Sequence, residues 1–192
     1  MIGAPLIDAE FVSHYLRHLP HLETERLILR PILPQDAQPW FDYTDYEATR
    51  FTRHDPFQSV EAAEAVISRF INCREQGLES PWTVVLKSSL KMVGLCGFSR
   101  INPHFRLGEI GFGIAQAHWG SGFATESTSA LIRQGFDVLK LHRIEAHCSV
   151  ENIASKRVLE KAGMRFEGVL RERLPIGEGF HDMFSYAILE TD

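Results

Sequence analysis

The sequence has 192 residues, 44% of them hydrophobic, which suits one compact domain with a sizeable core. Twenty-five acidic against twenty basic residues leave a net charge of −5, so no overall basic field would draw the chain onto nucleic acid or an anionic membrane surface, and a cationic ligand suits it better. The three cysteines, Cys73, Cys96 and Cys148, are odd in number and widely spaced, which excludes a disulfide framework or a zinc ribbon and points to a reducing cytoplasm. No stretch approaches ~18 uncharged apolar residues, and no basic residue precedes an apolar run at the start, so neither a membrane span nor a secretion signal is expected.

In chain order, Asp8 is placed to cap a short helix whose Phe11, Val12, Tyr15, Leu16 and Leu19 share one face before Pro20, so residues 1–20 read as an N-terminal extension. Leu22 to Ile32 alternates as one strand, and Asp36 is placed to cap an aromatic helix carrying Trp40, Phe41, Tyr43 and Tyr46. Ser59 caps a longer helix with Val60, Ala63, Val66, Ile67, Phe70 and Ile71 at spacings of three and four, stopped at Gly77. Two strands joined near Ser88 and Ser89 make a hairpin, and RLGEIGFGIA adds a third. A helix from Gly122 to Leu139 follows, with Ala124, Thr128, Leu131, Gly135 and Val138 on one stripe. Arg143 to Val150 is a strand, Asn152 to Ala162 a helix ended by Gly163, and two strands around Gly177 and Gly179 finish the chain. Three consecutive strands cannot all be joined by crossovers, so the sheet is mixed and the domain is α/β of the α+β type.

The stretch from Gly113 to Glu126 runs from a strand through a small-residue loop into a helix. Gly120 and Gly122 allow a tight turn, after which bare amides at the helix start can serve as anion ligands. A plain strand-to-helix turn is the other reading of two glycines alone. No G-x-x-x-x-G-K-[ST] occurs, and Thr125 stands where a dinucleotide loop has its third glycine, so neither a nucleoside triphosphate nor a nicotinamide cofactor is supported. Glu126, a carboxylate in the first turn, must face away if a phosphate is to bind.

With LETERLILRP at the front, EIGFGIAQAHWGSGFATE in the middle, ENIASKRVLEKAGMRFEG behind it and GFHDMFSYAIL at the end, the chain resembles the GNAT superfamily of N-acetyltransferases, in particular its RimJ/RimL-like branch. The resemblance spans Leu22 to Leu189 and implies an N-acetyltransferase domain over residues 21–192. It also implies a mixed sheet of about seven strands with splayed middle strands, flanked by about four helices. Acetyl-coenzyme A is the cosubstrate it implies, with contacts at Ile114 and Ala115 on the strand end and at Ala117, Trp119, Gly120, Ser121, Gly122, Phe123, Ala124 and Thr125 along the loop and helix start. Ala117 departs from the superfamily pattern, which opens this loop with Gln or Arg; the backbone cradle does not depend on it. By the same resemblance Asn152 and Ser155 lie beside the pantetheine, Ser155 protonates the departing thiolate, and an amide near Ala115 binds the oxyanion. From the residues alone, Asn152 is a helix N-cap and Ser155 a first-turn residue.

Acetyl transfer needs a neutral amine. An α-amino group with a pKa of ~8 is already roughly a tenth neutral at pH 7, whereas a lysine at ~10.4 is neutral at well under ~0.1%. A protein N-terminal amine is therefore the leading acceptor, with Glu109 as first choice for a base and Glu172 and Asp182 behind it. A small-amine acceptor (polyamine, amino acid or antibiotic) and a non-catalytic acyl-coenzyme A-binding module are the alternatives, and the chain acts as a monomer or homodimer. Glu145, His147 and Cys148 lie close on one strand, but only Glu145 and His147 share a face and no third ligand joins them there, so no metal is expected and structural roles are preferred. No G-x-S-x-G elbow occurs. His181 and Asp182 read as a turn-stabilising pair.

Overall fold

The computed structural model describes residues 7–52, 55–177 and 179–192. Its strands are β1 (Leu22–Glu23), β2 (Leu27–Pro31), β3 (Trp82–Leu86), β4 (Met92–Asn102), β5 (Leu107–Ile114), β6 (Arg143–Ser149), β7 (Arg165–Ile176) and β8 (Gly179–Leu189). Its helices are α1 (Ala9–Arg17), α2 (Ala37–Tyr43), α3 (Tyr46–Thr49), α4 (Val60–Glu75), α5 (Phe123–Asp137) and α6 (Ile153–Lys161). All eight strands join one sheet in the order β1-β2-β3-β4-β5-β6-β8-β7. Every neighbouring pair among the described residues is antiparallel except β5 with β6, the pair that α5 connects.

The mixed α/β domain thus forms as expected, with two segments broken that the sequence reads as continuous. Leu22 to Ile32 is a small hairpin rather than one strand: the Thr24 amide donates to the Leu27 carbonyl and the Leu27 amide to Thr24 Oγ1, folding β1 back onto β2 with Leu22 opposite Leu29. The aromatic helix breaks at Thr44, whose hydroxyl donates to the Trp40 carbonyl, and restarts under Asp45, which caps α3 by accepting from the Ala48 amide. A short polar side chain that bonds its own backbone competes with the regular ladder at both places.

Burial explains the layers. On one face of the sheet, α1, α5 and α6 meet Leu27, Leu29, Trp82, Val84, Ile110 and Ile144 through Val12, Leu16, Leu131 and Leu159. On the other, α2 and α4 close a smaller core around Ile32, Ala37, Ala63 and Ile67, with Trp40 and Phe41 packed against it. The helix expected near the N-terminus is seated in the main core: Val12, Tyr15, Leu16 and Leu19 are buried, Trp82 Nε1 donates to the Pro20 carbonyl at 2.8 Å, and a Cβ on Gly77 would come within 2.0 Å of Ser13 Oγ. Residues 1–6 of the expected extension lie outside the described residues.

Two details differ from expectation. Asp36 does not cap α2 with its side chain; it is buried at 2% exposure and accepts from Arg30 (2.6 and 2.8 Å), the Thr83 hydroxyl (2.8 Å) and the Leu33 amide (2.9 Å). An aspartate that close to a guanidinium finds a stronger partner there than at a helix start. Val138 falls outside the buried stripe of α5, which instead takes in Ser127 and Ala130, because the helix ends at Asp137, two residues before the expected Leu139, and Val138 turns to solvent.

Candidate active site

The pairing of β5 with β6 runs Leu107 to Arg143, Gly108 to Ile144 and Glu109 to Glu145, and then stops. Beyond that point β5 stays with β4 as far as Ile114 opposite Gly94, while β6 stays with β8 as far as Ser149 opposite Met183. The two middle strands therefore part, leaving a wedge whose walls carry unpaired backbone groups able to accept an extended ligand as a strand would.

At the open end of the wedge, Trp119 Nε1 donates to the Ile114 carbonyl at 2.7 Å and pins the loop back onto β5. Gly120 and Gly122 both take the left-handed conformation, at φ 76° and 83°, which non-glycine residues adopt only with strain. Gly122 is the N-cap of α5 and has no side chain to cap with; the first helical bond is from the Glu126 amide to its carbonyl. The amides of Phe123, Ala124 and Thr125 are thus left without intrahelical acceptors at the positive end of the helix dipole. A Cβ on Gly120 would meet nothing within 4 Å, and one on Gly122 only the Arg26 guanidinium at 3.3 Å. Space and donors for a diphosphate are therefore present, and Ala117 and Ser121 lie exposed beside them.

Glu126 does face away from this cradle. Its carboxylate accepts from the Thr24 hydroxyl (2.5 Å), the Arg26 amide (2.8 Å) and the Arg26 side chain (2.8 Å from Nε). Burial pushes its pKa up, but these donors outweigh burial and hold it below the usual carboxylate value. Arg26 also donates to the Ser121 carbonyl and lies over the Phe123 ring, so one side chain holds the residues on either side of Gly122. Nothing in local sequence pattern singles out Arg26, which sits in the turn between β1 and β2.

Asn152 caps α6 by accepting from the Ser155 amide at 3.0 Å, which puts Ser155 in the first turn, half-buried, just past the end of β6. The oxyanion partner is expected to be an amide near Ala115; the Ala115 amide itself donates to the Val93 carbonyl at 2.8 Å and serves the sheet.

Glu109 closes the narrow end of the wedge. Arg100 approaches it at 3.3 Å and His147 Nδ1 at 3.4 Å. The His147 ring, then Arg100 and Arg173, hold its carboxyl below the usual range against the opposing effect of burial. Glu145 is paired with Arg143 at 2.7 Å, and Arg143 with Glu167. Across this floor Gly111 and Gly113 are exposed, and a Cβ on either would meet nothing within 4 Å. His147, which sequence reasoning left as structural, is thus the group that meets Glu109; only the β5–β6 register could have shown it. Of the other carboxylates, Asp182 accepts from the Glu172 amide at 2.8 Å, beside the irregularity in β7. Cys148 lies on the opposite side of β6, where burial pushes its thiol up to about 11. Among the described residues, no group of three or more His, Cys, Asp or Glu could hold a metal ion.

The family description of an acetyltransferase (GNAT) domain matches residues 26–165. The chain belongs to the GNAT acetyltransferase family. It is 35% identical to an uncharacterized N-acetyltransferase, YoaA, of Bacillus subtilis strain 168, over 89% of this chain and 97% of that one. A ribosomal-protein-serine acetyltransferase of Escherichia coli K12 is 25% identical over 68% of this chain and 72% of its own, and a spermidine N(1)-acetyltransferase of Vibrio cholerae 28% identical over 71% and 77%. Among solved structures, a GNAT-family acetyltransferase from Bacillus anthracis superimposes with a TM-score of 0.81 at 29% identity, covering 90% of this chain and all of that one. RimJ of Mycobacterium smegmatis, solved with CoA-disulfide, gives 0.77 at 25% identity over 85% of this chain and 81% of its own. This GNAT chain is an N-acetyltransferase, and acetyl-coenzyme A is the acyl donor its family uses. The glycine-lined cradle and the parted strands fit that donor's diphosphate and pantetheine.

Proposed function

We propose that the chain transfers the acetyl group of acetyl-coenzyme A directly, in a ternary complex, to the α-amine at the N-terminus of a protein. The observation that carries the acceptor reading is the charge balance of the cleft floor. Three carboxylates, Glu109, Glu145 and Glu167, face three arginines: Arg100 beside Glu109, Arg143 between Glu145 and Glu167, and Arg173, whose charge also acts on Glu109. A polyamine gains its affinity from uncompensated carboxylates, and this floor offers none in surplus. A peptide N-terminus brings one positive charge and an extended backbone, which suits an open floor of glycines between two strand edges.

The amides at the start of α5 hold the diphosphate, Asn152 fixes the start of α6 beside the pantetheine, and Ser155 supplies the proton to the leaving thiolate. Glu109 belongs to the base that removes the amine proton. Three free thiols suit a reducing cytoplasm, where this reading places the enzyme. The test is a comparison of kcat/KM for serine- and alanine-initiated peptides, for the same peptides blocked at the N-terminus, and for spermidine. Acetylation of the free peptides well above spermidine supports the reading, and preference for spermidine overturns it.

A further inference from the structure

Two charged groups of the wedge lie on different strands and meet only because β5 and β6 run parallel in this register. Glu109 is the last residue of β5 paired with β6, and His147 lies two residues past its partner Glu145 on β6, on the same face. His147 is therefore the first side chain of that face beyond the point where the strands part. Its side chain is only 15% exposed, and Gly111, two residues past Glu109, leaves Cβ-sized open space on the facing strand.

The geometry points to His147 as the group that takes the proton from the acceptor ammonium, with Glu109 as the positioning residue that fixes its ring. This rests on the acetyl-transfer reading and names the atom at which that reading's base works. Nδ1 faces the Glu109 carboxylate at 3.4 Å, an ion-pair distance at which the carboxylate favours a proton on Nδ1 and leaves Nε2 to accept one. Glu109 itself is a poor acceptor, because the His147 ring and the arginines near it stabilise its ionised form. Imidazole is intrinsically a stronger base than a carboxylate and serves better.

The ammonium gives one proton to Nε2, and the freed lone pair forms the C–N bond with the acetyl carbonyl carbon. The C–S bond breaks with its electron pair on sulfur, and the amine's second proton, lost as the amide forms, matches the one the thiolate takes up. His147 then returns its proton to solvent. The charged groups facing the pair are Arg100 on β4, Arg143 and Glu145 on β6, and Glu167 and Arg173 on β7.

The experiment compares wild type, His147→Gln and Glu109→Gln over pH 5.5 to 9, on whichever amine the wild-type chain acetylates faster, a serine-initiated peptide or spermidine. Failure of the peptide reading then shows as a change of preferred amine and leaves the result for His147 readable. His147→Gln is expected to lower kcat/KM about a hundredfold at pH 7 and abolish the acidic limb of the profile, with the calorimetric affinity for acetyl-coenzyme A unchanged. Glu109→Gln is expected to keep that limb but move it to lower pH, because loss of the carboxylate disfavours the imidazolium. A His147→Gln variant that binds acetyl-coenzyme A normally and keeps both the wild-type limb and kcat/KM within threefold overturns the assignment. So does a Glu109→Gln variant that loses the limb altogether.

Discussion

Arg26 and Glu126, a hundred residues apart in the chain, are joined side by side at the first turn of α5, where the Arg26 amide and its guanidinium both donate to the same carboxylate. The pair turns a residue that would repel a phosphate into one that anchors the loop, and it ties the β1–β2 turn to the start of α5.

Replacing Arg26 with alanine should weaken acetyl-coenzyme A binding about tenfold, which is about 1.4 kcal/mol. Glu126 would be left without its cation beside the diphosphate, and Ser121 and Phe123 would lose the side chain that holds them. Glu126→Gln in the same background should recover part of the loss. A calorimetric titration of the three proteins checks this, and equal affinities in all of them would contradict it.

Gly122→Val should abolish binding. At φ 83° a β-branched residue is strained by about 1–3 kcal/mol, and its side chain would enter the space read as the diphosphate site. Unchanged affinity in a folded variant would remove the loop from the account.

Ser155→Ala should lower kcat at least tenfold while leaving the affinity for acetyl-coenzyme A nearly unchanged, since the Ser155 amide, not its hydroxyl, satisfies Asn152. Asn152→Ala should instead cost about 1 kcal/mol of stability through the lost cap. Unaltered turnover in Ser155→Ala, measured by thiol release, would reduce Ser155 to a helix-start residue.

Much of this was readable in the chain, and what was not has a physical cause. The strand-loop-helix from Gly113 to Glu126 and the cap at Asn152 depend on residues within a few positions of one another, and both stand where local pattern put them. Thr24 and Thr44 broke elements that periodicity reads as continuous, because a hydroxyl bonding its own backbone leaves the apolar pattern untouched. Arg26 with Glu126 and Glu109 with His147 are fixed by sheet order and register, which residue spacing does not encode.

Asp36→Asn should destabilise the fold by about 3–5 kcal/mol near neutral pH, because it leaves the Arg30 guanidinium uncompensated against β3. Burial pushes the Asp36 carboxyl up, but Arg30, the Leu33 amide and Thr83 outweigh it and hold the pKa below its ordinary value. A depressed folded pKa means that the stabilisation is complete above the unfolded value of ~3.9 and is lost as pH falls through the lower folded one. The gap between wild type and variant, followed by urea unfolding, should therefore be constant from pH 7 to 5 and narrow below ~4. A gap independent of pH down to 2 would contradict this.

The most direct test of the whole account is a calorimetric titration of the purified chain with acetyl-coenzyme A, with adenosine diphosphate and NAD as controls. Saturable binding at one site, for acetyl-coenzyme A far above either control, is the predicted result. No saturable binding of acetyl-coenzyme A, or equal binding of NAD, would contradict the assignment of the parted strands and the Gly120–Gly122 loop to the acyl donor.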